Sequence, residues 1–280
     1  MKNNKLLTIG FSPCPNDTFI FDGLINGKSE SYGLSFEPVI ADVEELNRMS
    51  VNGILDVTKL SFHAFLYVSS FYKILDCGAA LGKNNGPLLI SKKKIYPDEV
   101  GNLKIAVPGK KTTASLLLSI AYPEKLNTKE YLFSDIEEVV LSGEADAGLI
   151  IHETRFTYQL KGLKKILDLG EFWEKQYNLP LPLGGIMISR RVDESTSKLF
   201  YKALNNSILF AFENPLSSIN YIKSMAQEMD EKVIRNHINL YVNNYTKNLG
   251  LEGKNAIETL FKVAVEKGIT PKPEEENWWA

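Results

Sequence analysis

Short apolar runs that stop abruptly at polar, helix-starting turns recur along this chain, and that punctuation constrains its fold more than any other feature. The sharpest case is Ala147-Gly148-Leu149-Ile150-Ile151. It is too short for a helix, suits a strand buried on both faces, and ends on His152, ahead of a helix-like segment over 154–160. Residues 6–11 form a similar run and meet Ser12-Pro13-Cys14-Pro15-Asn16-Asp17, where Asn16 or Asp17 can cap a helix reaching Leu24. Residues 34–40 lead into a helix capped near Asp42 and ending near Gly53. Residues 56–60 feed an apolar helix that starts at Ser61. Strands alternating with helices predict an α/β chain with a mostly parallel sheet.

The pattern restarts around residues 88–91, and residues 103–107 open a second α/β unit with a helix over 112–121. Residues 186–188 read as a strand returning to the first unit, and amphipathic helices follow from Glu194 onward. The expected layout is one lobe from residues 1–95 plus 188–280 and a second from 96–187, with the C-terminal helices packed on the first lobe. The tail ends in Trp278-Trp279, which can pack on the body or on a second subunit. Packing on the body is the expectation, and a homodimer stays open.

Composition narrows the function classes. The 280 residues carry a net charge of −2 and no long basic block, which argues against a nucleic-acid partner. Lys92-Lys93-Lys94 reads as a solvated turn or strand edge. No apolar run is long enough to cross a bilayer, and residues 1–7 lack the apolar segment of a signal peptide, so a cytoplasmic protein without a membrane partner is expected. Cys14 and Cys77 fit neither a disulfide framework nor a metal spacing, so free thiols are expected. No His, Asp and Glu cluster has metal spacing either.

In open α/β sheets, ligands sit beyond the carboxyl ends of the strands, which is where His152 falls. A hydrogen-bonded structural histidine fits the same position. Three more junctions place helix starts, with their unpaired N–H groups, where an anion can bind. They are the turn carrying Asn16 and Asp17, the step Lys59-Leu60-Ser61, and Pro108-Gly109-Lys110-Lys111-Thr112-Thr113-Ala114. Lys59 can neutralise a carboxylate, Ser61 can donate a hydrogen bond, and Gly109 permits close backbone approach. Each junction also reads as an ordinary cap and turn. His63 reads as a core or helix-surface residue, and His237 carries no assigned role.

These same residues, Phe11 to Phe19, Lys59-Leu60-Ser61, Pro108 to Ala114 and Gly148 to Glu153, together with Leu179-Pro180-Leu181-Pro182-Leu183-Gly184-Gly185, resemble the 1,4-dihydroxy-6-naphthoate synthase family of the futalosine route to menaquinone. The resemblance implies a two-lobed, type-II periplasmic-binding-protein-like fold with the ligand cleft between lobes. It implies a carbon–carbon lyase without metal or organic cofactor. That enzyme converts cyclic dehypoxanthinyl futalosine, a small-molecule carboxylate, to 1,4-dihydroxy-6-naphthoate and a three-carbon fragment, dihydroxyacetone. It further implies that His152 is the proton acceptor and that Lys59, Leu60, Ser61, Thr112 and Thr113 bind substrate; Asn16 and Asp17 join them as candidates from the first turn. The chemistry agrees, because histidine as a residue type titrates near neutrality, where a general base is useful. Two other readings remain: a sister enzyme like chorismate dehydratase, and a non-catalytic small-molecule binding module on the same fold.

Overall fold

The computed structural model describes residues 5–226 and 230–280. The expectation for the extreme N-terminus rests in part on residues 1–4, which lie outside them. Two sheets organise the chain. The first collects β1 (Lys5–Phe11), β2 (Leu34–Ile40), β3 (Val57–Ser61), β4 (Tyr72–Ile74), β5 (Ala80–Gly82) and, from much later in the chain, β11 (Leu181–Ser189). Its order is β2-β1-β3-β11-β4, with β5 also paired to β11. The second sheet collects β6 (Leu88–Ser91), β7 (Lys104–Val107), β8 (Asn127–Glu130), β9 (Ala147–Ile150) and β10 (Lys164–Asp168), in the order β10-β6-β9-β7-β8.

Both sheets are mixed, which corrects the expectation of a mostly parallel one. β1 runs parallel to β2 and β3, and β7 runs parallel to β8 and β9. β11 is antiparallel to β3, β4 and β5, and β6 is antiparallel to β9 and β10. The antiparallel strands are the first ones after the chain crosses from one sheet to the other, so they enter with reversed direction. The crossings also differ from the lobe boundaries expected at 95 and 187. All four residues of β6 are buried and pair with β9 on one side and β10 on the other, so residues 88–91 belong with the second sheet. A strand buried on both faces takes an interior position of a sheet. β11 joins the first sheet from Leu181 onward, and a boundary at 187 would cut it.

Helices α1 (Pro15–Ile25), α2 (Val43–Ser50), α3 (Phe62–Phe65), α4 (Thr113–Ala121), α5 (Ile136–Ser142) and α6 (Leu169–Tyr177) fill the connections. They are followed by α7 (Glu194–Glu213), α8 (Ile219–Met225), α9 (Glu231–Tyr241), α10 (Asn244–Lys247) and α11 (Gly250–Glu266). One apolar core joins Leu7, Ile9 and Phe11 of β1 to α1 and α7. A second core spans both lobes behind the cleft, uniting Phe62 and Phe65 of α3 with Leu116 and Leu117 of α4, Trp173, and Phe261 of α11. So α11 does not pack on the first lobe alone. Trp278 stands edge-on to Phe261 at 5.0 Å, and the backbone at Trp278 and Ala280 bonds to Ile74 at the edge of the first sheet. Among the described residues no helix is long and apolar enough to cross a membrane.

Candidate functional site

A cavity of about 90 Å³ lies where the carboxyl ends of β1, β3 and β9 face the start of α4. Its lining holds Asn16, Asp17, Lys59, Leu60, Ser61, Thr112, Thr113 and His152, so the structure brings every candidate from the sequence into one place. Leu183 joins them from the Leu179–Gly185 stretch, and Asn85 and Tyr241 come from segments that no local motif marks.

The first turn is built differently from expectation. Pro15 opens α1 and Cys14 is the N-cap, without a side-chain cap bond. Proline's fixed φ and missing N–H suit the first helical position. Asn16 and Asp17 therefore sit inside the first turn rather than capping it, and both are buried. Asp17 accepts hydrogen bonds from the Ser12 hydroxyl at 2.7 Å and from Asn16 Nδ2 at 2.7 Å. Its Oδ1 also lies 2.8 Å from Lys59 Nζ, and that ion pair is almost fully enclosed. The Lys59 charge is thus already matched inside the protein, which corrects the idea of a cation waiting for a carboxylate.

Ser61 ends β3. Asn47 of α2 clasps it, with Oδ1 accepting from Ser61 N at 3.1 Å and Nδ2 donating to Ser61 Oγ at 3.2 Å. The serine hydroxyl is held as an acceptor by protein, and its own hydrogen remains to donate toward the cavity. Across the cleft, Thr112 caps α4: Oγ1 accepts from Ser115 N at 3.2 Å and donates to Gly109 O at 2.8 Å. Thr113 Oγ1 donates to Leu183 O at 2.5 Å. Both threonine hydroxyls are spent on backbone carbonyls, so what this helix start offers a ligand is its backbone N–H groups and the positive end of its dipole.

Gly109, at φ +145°, does permit a close approach, but the group that approaches is Glu44 of the opposite lobe. A Cβ at Gly109 would lie 2.4 Å from the Glu44 carboxyl carbon. Lys111 N donates to Glu44 Oε1 at 3.4 Å, and burial raises the Glu44 carboxyl above its ordinary range. His63 adds a second clasp. It is buried in α3, its N–H donates to Thr113 Oγ1 at 3.4 Å, and its Nδ1 lies 3.0 Å from Thr112 O. Burial lowers its pKa to about 4, so the ring is neutral and Nδ1 carries the hydrogen that the carbonyl accepts.

His152 follows β9, which runs beside α5 only because Gly148 has no side chain; a Cβ there would meet Ile136 at 2.6 Å. The backbone at His152 is left-handed, with φ +61°. For a residue with a Cβ this costs roughly 1–2 kcal/mol, and such strain persists where the surroundings impose it. The ring rests edge-on against Phe133 at 4.8 Å, and Cys14 Sγ lies 3.4 Å from its Nδ1. Burial, then the charge of Glu153, keeps the Cys14 thiol protonated, so it is a neutral clamp on the ring rather than a nucleophile.

Behind His152 stands His237 of α9, whose ring is nearly parallel at 14° and 6.2 Å away. It is fully buried, and its Nε2 lies 2.8 Å from Asn16 Oδ1. No sequence signal marked it: a histidine in a polar helical stretch gains significance only when the fold seats that face of α9 on the cleft.

A family model described as menaquinone biosynthesis matches residues 7–266. A 1,4-dihydroxy-6-naphthoate synthase of Thermus thermophilus is 42% identical over 272 residues, covering 96% of this chain and 98% of that one. A protein of the same name from Streptomyces coelicolor is 38% identical, covering 95% of each. A crystal structure of an Archaeoglobus fulgidus protein superposes with a TM-score of 0.90 at 37% identity, over 94% of this chain and 98% of that one. The alkanesulfonate-binding protein SsuA of Xanthomonas axonopodis, bound to MOPS, reaches 0.75 at 13% identity, over 98% of this chain and 96% of that one. That last likeness establishes the two-lobed binding-protein fold and nothing further.

Proposed function

This chain belongs to the menaquinone-biosynthesis family, and we propose that it is a 1,4-dihydroxy-6-naphthoate synthase in which His152 is the proton acceptor. The observation that carries this is full-length similarity to two proteins of that name, joined to one cleft in which a histidine faces a helix start. The reaction is a carbon–carbon cleavage of cyclic dehypoxanthinyl futalosine that yields the naphthoate and a three-carbon fragment. The N–H groups at the start of α4 and the Ser61 hydroxyl hold the aromatic carboxylate and fix the ring. His152 then takes a proton as a carbonyl develops, and the backbone dipoles stabilise negative charge on oxygen.

The enclosed Lys59–Asp17 pair contributes shape and a fixed dipole rather than net charge. The cavity holds about 90 Å³, whereas a drug-sized ligand fills at least about 300 Å³. Substrate entry therefore requires the lobes to part at the Glu44 and His63 clasps, and closure over the ring expels water. We place the enzyme in the cytoplasm, an assignment that two free, buried thiols suit.

The test is incubation of the purified chain with cyclic dehypoxanthinyl futalosine, following the naphthoate and the three-carbon product by mass spectrometry. Equal amounts of both are expected. Binding without turnover would support the binding-module reading instead, and conversion of chorismate would support the sister enzyme.

A further inference from the structure

The floor beneath His152 contains a proton that geometry alone locates. His237 Nε2 faces Asn16 Oδ1 at 2.8 Å. The Asn16 amide is oriented by its other end, because Nδ2 donates to Asp17 Oδ1 at 2.7 Å. Oδ1 is therefore the acceptor, and His237 Nε2 carries a hydrogen. In a neutral imidazole the second nitrogen then has a bare lone pair. That nitrogen, Nδ1, is buried and lies 3.6 Å from Glu153 Oε2. Neither atom has a hydrogen-bond partner among the described residues. Two bare acceptors facing each other out of water would repel, and each would lack the hydrogen bond that a buried polar group requires. One proton held by either atom turns two facing acceptors into a donor and an acceptor, and the repulsion into an attraction across 3.6 Å.

We propose that His237 and Glu153 share one buried proton, and that this pair is a positioning device which keeps the ground under His152 electrically neutral. The inference rests on the reading of His152 as the base, though the pair itself does not. Glu153 directly follows His152 in the chain, and the His237 ring lies almost parallel to the His152 ring at 6.2 Å. With the proton present the pair carries no net charge, whether the hydrogen sits on oxygen or on nitrogen. Without it the pair carries one negative charge, which would hold the neighbouring imidazole in its protonated form and take it out of service as a base.

The other groups around the pair do not supply that proton. Asn16, from α1, is an amide already committed on both sides. Lys59, from β3, is bound to Asp17. The Cys14 thiol lies against His152, at 3.4 Å from its Nδ1. Tyr241, on the same helix as His237, packs its ring at 4.6 Å, and burial holds its hydroxyl protonated. Arg155 is paired with Asp168 at 3.0 Å. Burial favours the neutral form of His237, as do the charges of His152 and Lys59, in that order.

The first measurement uses wild-type protein labelled with ¹⁵N-histidine, with Asn variants at the three histidines for assignment. At neutral pH His237 should show a proton-coupled Nε2 and an Nδ1 resonance displaced from the lone-pair position by the shared hydrogen. An Nδ1 at the lone-pair position would overturn the proposal. Glu153→Gln supplies a permanent amide N–H to Nδ1, so the pH dependence of the His237 signals should vanish; its survival would count against the pair. The second measurement is the pH profile of kcat/KM for His237→Asn, whose amide can satisfy Glu153 as a carboxylate with no shared proton. A full charge at this range moves a neighbour's titration by about one to two pH units. The acid limb should therefore move to higher pH by that amount. A lowered kcat with an unmoved limb would mean a merely structural His237 and would overturn the proposed role. Absence of turnover in the wild type would refute the proposed function, and the resonance arm would still decide the pair.

Discussion

On one wall of the cleft, Thr112 and Thr113 start α4 within a few residues of the glycine turn that positions them, and their hydroxyls answer to nearby carbonyls and to Leu183. On the other wall, the His152 ring is flanked by Cys14, 138 residues away, and backed by His237, which meets an asparagine 221 residues distant. The first wall is built mainly on a local cap, Thr112, with Leu183 and His63 reaching it from farther along the chain. The second is assembled by the fold from segments with no pattern in common. A local wall tolerates change and is restored by any residue that caps. A convergent wall concentrates buried polar groups, and each of them depends on a distant partner.

The sharpest way to break this comparison is at His152. His152→Asn keeps the size but removes the proton acceptor, and a general base contributes about 10²- to 10⁴-fold in rate. Single-turnover kinetics should show a loss in that range, with an unchanged circular dichroism spectrum. Near-normal turnover in a folded variant would move the base to another group and leave the convergent wall without its chemical purpose.

The next largest effect is on stability. Lys59→Met leaves Asp17 buried with its charge uncompensated, and breaking such a pair costs about 3–5 kcal/mol. The hydrogen bonds that Asp17 keeps with Ser12 and Asn16 place the expectation at the lower end. An exposed pair such as Lys198–Glu194 should cost far less when broken, because water screens it. Urea unfolding of both variants makes the contrast. Equal losses would show that enclosure does not distinguish this wall.

His63 tests the seam between the walls through pH. Its folded pKa of about 4 lies below the unfolded value of about 6.5. The folded protein therefore binds fewer protons than the unfolded chain between those values. The His63 contribution is fully present above about pH 6.5 and is lost as the pH falls toward about 4, amounting to about 3 kcal/mol over the window. The slope over that window should therefore be shallower in His63→Gln. An unchanged slope would mean that His63 is not the neutral clasp between Thr112 and α3.

How much of this was legible beforehand follows the same division. The strand at 34–40, the Asp42 and Thr112 caps and the strand ending at His152 rest on period and capping rules that act over a few residues, and the structure has them. The lobe crossings differ from the sequence expectation because an apolar run such as Leu88 to Ser91 carries no information about which sheet it will join. The Lys59–Asp17 pair joins elements 42 residues apart, and the approach of Glu44 to Gly109 crosses between lobes, so neither is written in any short segment. His237 lacks a sequence signal for the same reason. Its helix looks amphipathic, and nothing in the helix itself says that its buried face meets another histidine.

The smallest expected effect separates capping from ligand contact on the local wall. Thr112→Ala removes the acceptor for Ser115 N and the donor to Gly109 O. Loss of an N-cap of this kind costs about 1 kcal/mol. Thr112→Ser keeps the oxygen and should restore most of that. Because both bonds of the hydroxyl stay within the protein, KM should follow stability: modestly raised in the alanine variant as the first turn of α4 loosens, and near normal in the serine variant. The measurement is urea unfolding alongside steady-state kinetics for both. A Thr112→Ala protein of undiminished stability with a strongly raised KM would show that this hydroxyl turns from Gly109 to the substrate on binding. In that event the local wall, like the convergent one, would rearrange its polar groups around the reaction, and the contrast between them would hold only for the empty cleft.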